Sequence, residues 1–280
     1  MTDATTELAR LVAGRFIART DVRAMQVADG GYRPVREPWH GQRVVEHLTG
    51  AATFGHYMLD AQNQCKYFAF DCDLRKGPGE WVQVPDEQTL AGLDLAHGAN
   101  ADAALLASVR RHYADDLRAN WHERSHPGRA WWKFQMRSLG DLLSTAIHRN
   151  LGIPTAVAYS GNKGIHVYGF TGLVPAAQAR EAAKGILAIT GRFAESKGSN
   201  FYADTNDDWF ENFSNFEIEV FPKQDAVDPG HFGNLMRLPL GVNRKNPQDP
   251  TFFVDQRIAQ TKLAPHPDPI GLLREGNPWL

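Results

Sequence analysis

Tyr67-Phe68-Ala69-Phe70-Asp71-Cys72-Asp73-Leu74 is an apolar run that closes on two carboxylates one residue apart. Side chains alternate along an extended chain, so Asp71 and Asp73 project from one face of the predicted strand. Two ionised carboxylates held close together repel unless a cation lies between them, and hard cations such as Mg²⁺ or Mn²⁺ prefer oxygen donors. The stretch reads as a metal site. A strand end with two solvated aspartates is the alternative, and the rest of the chain decides between them.

The chain has 280 residues, enough for one large domain or two small ones, and its 42% apolar and 22% charged residues are those of a globular protein. A net charge of −2 gives no overall pull toward nucleic acid or lipid. The distribution is less even. Arg110 to Arg137 holds seven basic against three acidic residues, and Asp204 to Asp228 holds one basic against eight acidic. Such a pair of segments suits a polyanion-binding surface beside a cation-gathering one, although solvated faces are the commoner explanation. Two cysteines, Cys65 and Cys72, exclude a disulfide framework and a Cys-rich zinc knuckle, so no zinc is expected. No apolar run reaches the roughly 20 residues of a membrane span and no signal-peptide core is present, which points to the cytoplasm and to no membrane partner.

Periodicity predicts helices over 5–17, 101–119 and 134–151, and one from Pro175 to about Ser196. Strands are predicted at Thr155–Tyr159 and Ile165–Phe170, paired around Ser160-Gly161-Asn162-Lys163-Gly164, and at Phe216–Phe221 and Leu235–Leu240. Lys76-Gly77-Pro78-Gly79 reads as a turn, and Gly50, Thr53 and Gly55 suggest backbone held close to something. The order implies an α+β sheet covered on one face by helices.

Three further stretches carry chemistry. In the 160–166 hairpin, glycines let backbone amides approach an anion, and Ser160, Lys163 and His166 supply donors. A tight hairpin with a solvated lysine is the plain alternative. The Gly-x-x-x-x-Gly-Lys spacing is absent, which argues against an ATPase or helicase within this segment. In Phe216-Glu217-Ile218-Glu219-Val220-Phe221, both glutamates share one strand face and could bring a third carboxylate to the first two, as in two-metal phosphoryl-transfer sites. Arg237 stands between Met236 and Leu238 and needs an anionic partner, either the carboxylates or a bound phosphate.

Taken in order, Asp71-Cys72-Asp73, Ser160 to His166, and Ile218-Glu219 resemble the three motifs of the archaeo-eukaryotic primase superfamily. Glu219-Val220-Phe221-Pro222-Lys223-Gln224 and Gly233-Asn234-Leu235-Met236-Arg237-Leu238-Pro239 are similar to its primase-polymerase branch, found in phages, mobile elements and conflict systems, as are Arg19-Thr20-Asp21-Val22 and His47-Leu48-Thr49-Gly50. The resemblance spans about residues 15 to 245.

It implies a single catalytic domain: an N-terminal α/β module over about 1–65, a core resembling an RNA-recognition motif over about 66–245, and a C-terminal tail over 246–280. It further implies that Asp71, Asp73 and Glu219 bind two Mg²⁺ or Mn²⁺ ions, with Glu217 the other candidate third ligand. Ser160, His166 and Arg237, with Lys163, would contact the triphosphate of an incoming NTP or dNTP. Single-stranded DNA template would lie over Arg110, Arg111, Lys133 and Arg137. Trp131 and Trp132 read as core or interface residues before base-stacking ones. The implied reaction is DNA-dependent primer synthesis and extension, with a helicase as a partner in cis or in trans. A gap-filling or end-joining repair polymerase of the same superfamily is the nearest alternative. Two other readings are weaker. His122-Glu123-Arg124-Ser125-His126 matches a zinc-protease pattern but runs directly into Pro127-Gly128, and a metal-dependent glycosyltransferase would leave the other motifs unexplained.

Overall fold

The computed structural model describes residues 3–75, 129–206, 213–260 and 262–277. In chain order its elements are α1 (Asp3–Phe16), β1 (Arg23–Gln26), β2 (Tyr32–Val35), α2 (Gly41–Leu48), β3 (Phe54–Tyr57), β4 (Gln64–Leu74), α3 (Arg129–Leu151), β5 (Thr155–Tyr159), β6 (Gly164–Pro175), α4 (Ala176–Thr190), β7 (Phe193–Glu195), β8 (Phe201–Asp204), β9 (Phe216–Phe221), β10 (Leu235–Arg237), β11 (Phe252–Phe253) and α5 (Pro269–Glu275). The predicted helix over 101–119, the turn at Lys76–Gly79 and the His122–His126 pattern lie outside the described residues.

The apolar run becomes β4, the middle strand of a seven-stranded antiparallel sheet ordered β11-β5-β6-β4-β9-β8-β7. Alternation along β4, β6 and β9 gives this sheet two unlike faces. One carries Phe68, Phe70, Cys72, Ile165, Val167, Ile218 and Val220, all buried. Helix α3 packs there through Gly140, where a Cβ would lie 3.0 Å from Val157 and 3.2 Å from Ile165, so the missing side chain sets the approach. On the other face Phe16 of α1 packs edge-on against Tyr67, Tyr168 and Phe170, with centroids 4.9–5.3 Å apart. That aromatic half leaves the end with Asp71 and Asp73 for polar groups.

A second, four-stranded sheet has the order β10-β3-β1-β2. The expected α+β fold is present as two antiparallel sheets with five helices among the described residues, the smaller sheet adding to the single one that the element order implied. β10 follows the strands that carry the acids in sequence yet pairs with β3, at Leu235–Tyr57 through Arg237–Gly55. This explains the glycine at 55, where a Cβ would meet Leu235 Cδ1 at 2.8 Å and the Met236 carbonyl oxygen at 2.9 Å. Beside it the Thr53 hydroxyl donates to the Val242 carbonyl at 2.6 Å.

Some boundaries differ from the sequence reading. β10 stops at Arg237, because Pro239 has no N–H to give and Leu240 takes a positive φ of 69°. α4 ends at Thr190 on a left-handed Gly191, and the stretch read as its last turn forms β7 instead. Pro175 closes β6 and precedes α4 as its cap residue. The segment taken as a tail supplies β11 to the sheet edge and helix α5. Among the described residues no helix is long and apolar enough to cross a membrane.

The two sheets are joined around buried histidines. The His47 Nδ1 accepts the Phe54 N–H at 3.0 Å, and its Nε2 donates to the carbonyls of Leu238 and Pro239 at 3.1 Å. His56 shares a 2.8 Å hydrogen bond with the Tyr67 hydroxyl. Burial pushes the imidazoles down to about 4 for His47 and about 3 for His56, so both are neutral in the fold. The unfolded chain takes up these protons below the ordinary value near 6.5 and the folded chain does not. Their contribution is therefore whole above pH 6.5 and is lost as the pH falls toward 4, by about 1.4 kcal/mol per pH unit for each ring. Urea midpoints measured from pH 7 to pH 4 should fall steeply with acid; a flat profile would contradict the neutral, buried assignment.

Candidate active site

The site is built on three adjacent strands. Antiparallel pairing places Asp71 opposite His166 on β6 and opposite Glu219 on β9, while Asp73 stands opposite Gly164 and Glu217. Directly opposed residues point to the same face with Cα atoms about 5 Å apart. The strand pairings therefore bring Asp71, Asp73, Glu217, Glu219 and His166 onto one patch, with Asp71 in the middle. Local sequence explains this: each acid alternates with a buried apolar residue, so the core fixes which way the acids face.

Each carboxylate has its own basic partner. His166 Nε2 lies 3.3 Å from Asp71 Oδ1, Lys163 Nζ 2.8 Å from Asp73, and Lys197 Nζ 2.7 Å from Glu217, while Lys223 pairs with Glu219. Among the described residues no three His, Cys, Asp or Glu side chains converge on one point as a ready-made metal cluster. The charges are unequal. Burial alone would raise Asp71, but the charges of His166, Lys163 and Arg237 and the His166 contact outweigh it and hold its carboxyl below the usual range. Burial and the neighbouring Asp71 charge push Asp73 up, and burial pushes Glu219 up against the pull of Lys223.

The hairpin residues divide their tasks. Ser160 is buried, its hydroxyl has no hydrogen-bond partner among the described residues, and its carbonyl accepts from the Arg237 guanidinium. His166 Nδ1 shares a 2.9 Å hydrogen bond with the Tyr168 hydroxyl, which fixes the ring beside Asp71. Lys163 also donates to the Leu74 carbonyl at 2.8 Å, so this side chain serves the Asp73 strand end rather than standing free for a phosphate. The glycines work differently from the sequence reading. Gly161 needs its positive φ of 69°, and Gly164 lets β6 close onto β4: a Cβ there would fall 2.2 Å from the Cys72 carbonyl oxygen.

Two clefts meet at the acids. One of about 310 Å³ runs from Asp71, Asp73 and His166 past Ser160 and Arg237 to Gln26, Tyr32 and Lys245 of the smaller sheet and the loop after it. The other, of about 200 Å³, lies on the far side of the acids between Arg75, Lys197, Phe201 and Glu217. Tyr32, Lys245, Lys197 and Phe201 escaped the sequence reading, since none belongs to a motif. Lys223 lies four residues after Glu219 in a quoted motif, but its sequence gives no sign of the pairing.

The expected template contacts fare differently. Arg110 and Arg111 lie outside the described residues. Arg137 is only 1% exposed: it pairs with Asp141 at 2.9 Å and donates to the carbonyls of Asp255, Gln256 and Ile258, so it is a structural clamp and not a nucleic-acid contact. Lys133 is half-buried on the same helix, which covers the sheet face opposite the acids. Trp132 is fully buried, as a core residue.

A family model described as "TOTE conflict system, Archaeo-Eukaryotic Primase domain" matches residues 9–274. The chain belongs to this family. A comparison with curated proteins found no match. Membership makes the molecule an archaeo-eukaryotic primase domain, a nucleotidyltransferase-type enzyme of α+β fold. The match spans nearly the whole chain, from the middle of α1 through the C-terminal segment held by Arg137.

Proposed function

We propose that this primase domain adds nucleotides to a 3′-hydroxyl, or to a second nucleotide at initiation, on a single-stranded DNA template with release of pyrophosphate. Its setting would be a phage, a mobile element or a conflict system. The observation that carries the reading is the central position of Asp71, flanked by His166 on one strand and Glu219 on the other. The acids suit divalent cations on their own chemistry: Asp71 Oδ1 is buried and, among the described residues, has only the His166 ring beside it at 3.3 Å without a well-formed hydrogen bond, and burial raises Asp73 next to it. Asp71, Asp73 and Glu219 would hold two Mg²⁺ or Mn²⁺ ions, which when bound neutralise charge on the attacking and leaving oxygens.

The protein's own groups account for binding and orientation. His166, Arg237 and the unpartnered Ser160 hydroxyl line one wall of the larger cleft and supply donors to a triphosphate. Lys163 holds the Asp73 strand end against the hairpin, so the acids and the nucleotide wall stay in register. Replacing His166 by Ala should raise KM for the nucleotide about tenfold, the size expected for a lost hydrogen bond to a charged group. Steady-state kinetics in varied nucleotide check this, and an unchanged KM would remove His166 from the nucleotide contact.

The deciding experiment supplies single-stranded template, Mg²⁺ or Mn²⁺, and labelled NTPs or dNTPs, with and without a primer. Products without primer support primer synthesis. Extension alone would reassign the domain to gap filling, and no incorporation under any condition would overturn the polymerase reading.

A further inference from the structure

The smaller sheet has two faces, and only one of them is spent on the core. Met236 belongs to the main core, and its register partner His56 and Phe54 are buried on the same side. The opposite face carries Val22, Ala24 and Tyr57, with Tyr32, Phe232 and Leu235 partly exposed around them. Phe232 lies against Tyr57 with ring centroids 4.9 Å apart. Two guanidiniums flank it, Arg36 at 4.7 Å and Arg19 at 5.3 Å from the ring centroid. Arg19 is shared with Asp21 at 3.0 Å, whereas Arg36 is exposed and has no carboxylate within ion-pair distance among the described residues. At the other end of this face, Tyr32, Leu235 and Arg237 line the cleft that holds Asp71 and His166, and exposed Lys245 lies over Gly30 at its rim.

The geometry points to this face as the track for the single-stranded template, running from the nucleotide cleft past Lys245 and Tyr32 to the Phe232 platform. The inference rests on the polymerase reading above and gives it a template site in place of Arg137. Charge and shape both argue for that occupant. A single strand offers a phosphate at every step and a π-face on every base, and it is bound by basic side chains interleaved with aromatic platforms. Phe232 between two guanidiniums, continuous with an anion-binding cleft, is such an arrangement. A ring that merely covered Tyr57 would need no basic groups around it and no continuity with the acids.

The test is fluorescence anisotropy of a labelled single-stranded oligonucleotide with the full chain, metal-free, across a salt series. Arg36→Glu combined with Lys245→Glu should weaken binding about tenfold or more and flatten the dependence of log K on log salt by about two phosphate contacts. Phe232→Ala should cost about tenfold with little change in that slope, since stacking is not ionic. Arg149→Glu, an exposed site on α3 across the molecule, should bind as the parent does. Parent-like binding by the double charge variant at every salt concentration would overturn the track, as would an equal loss in Arg149→Glu or preference for duplex of the same length. If these variants bind normally while the parent still incorporates nucleotides, the track fails and the polymerase reading stands. If they lose binding while the parent incorporates nothing, the track stands and the polymerase reading fails.

Discussion

Changing Asp71 to Asn should reduce nucleotide incorporation about a thousandfold, the loss expected when about 4 kcal/mol of transition-state charge stabilisation goes. Asp71 occupies the middle strand and is opposed on both sides, by His166 and by Glu219. No other acid has that place, since Asp73 and Glu217 face each other one step further along. Asn keeps the shape and the hydrogen-bonding reach of Asp but not its charge. The fold should therefore survive, with a melting temperature within a few degrees of the parent, because the buried partners on the reverse face are untouched. Binding of single-stranded DNA without metal should be unchanged, and Mn²⁺ binding followed by calorimetry should weaken in parallel with activity. Full incorporation by Asp71→Asn would refute the assignment of the acids.

Gly164→Ala is expected to damage stability and activity together. The new Cβ would fall 2.2 Å from the Cys72 carbonyl oxygen, 2.4 Å from Asp73 Oδ1 and 2.9 Å from Asp73 Cα. Two of these contacts are backbone atoms of the middle strand, so no side-chain rotation relieves them. β6 must lift from β4, which weakens the hairpin and moves Asp73 from Lys163. A cost of about 3 kcal/mol is the scale for forcing one methyl group into packed backbone. Gly185→Ala is the matched control: a Cβ there meets nothing within 4 Å, and it lies within α4. That change should leave activity alone and stabilise by about 0.5–1 kcal/mol, the ordinary helix preference for Ala over Gly. Chemical denaturation of both variants checks the pair. A Gly164→Ala protein as stable as the parent would mean the strands at this corner are not as closely packed as described.

What the sequence disclosed follows the distance over which each cause acts. β9 was legible to the residue because Phe-Glu-Ile-Glu-Val-Phe alternates cleanly, and the same alternation put the acids on one face. β10 was not, because Leu235 to Leu240 is apolar on both sides of Arg237 and only the backbone at Leu240 and the missing N–H of Pro239 end it. Its choice of β3 as partner is a long-range event that no local pattern records. The hairpin histidine and the carboxylates were legible from chemistry and spacing. The lysines that neutralise them were not, since a lysine in sequence looks the same in solvent and beside an acid. Arg137 was misread for a related reason: counting charges between 110 and 137 cannot distinguish a guanidinium bound to four carbonyls from one facing water.

The pairing of β10 with β3 also bears on how the molecule is made. On the ribosome, the amino-terminal sheet emerges early but keeps one flank of β3 bare until Leu235–Arg237 leaves the exit tunnel, far downstream. Arg237 of the larger cleft and the last strand of that sheet thus arrive in the same three residues. A nascent chain interrupted before them has neither, and a chimera that exchanges the first module must bring along a matching β10 to close it.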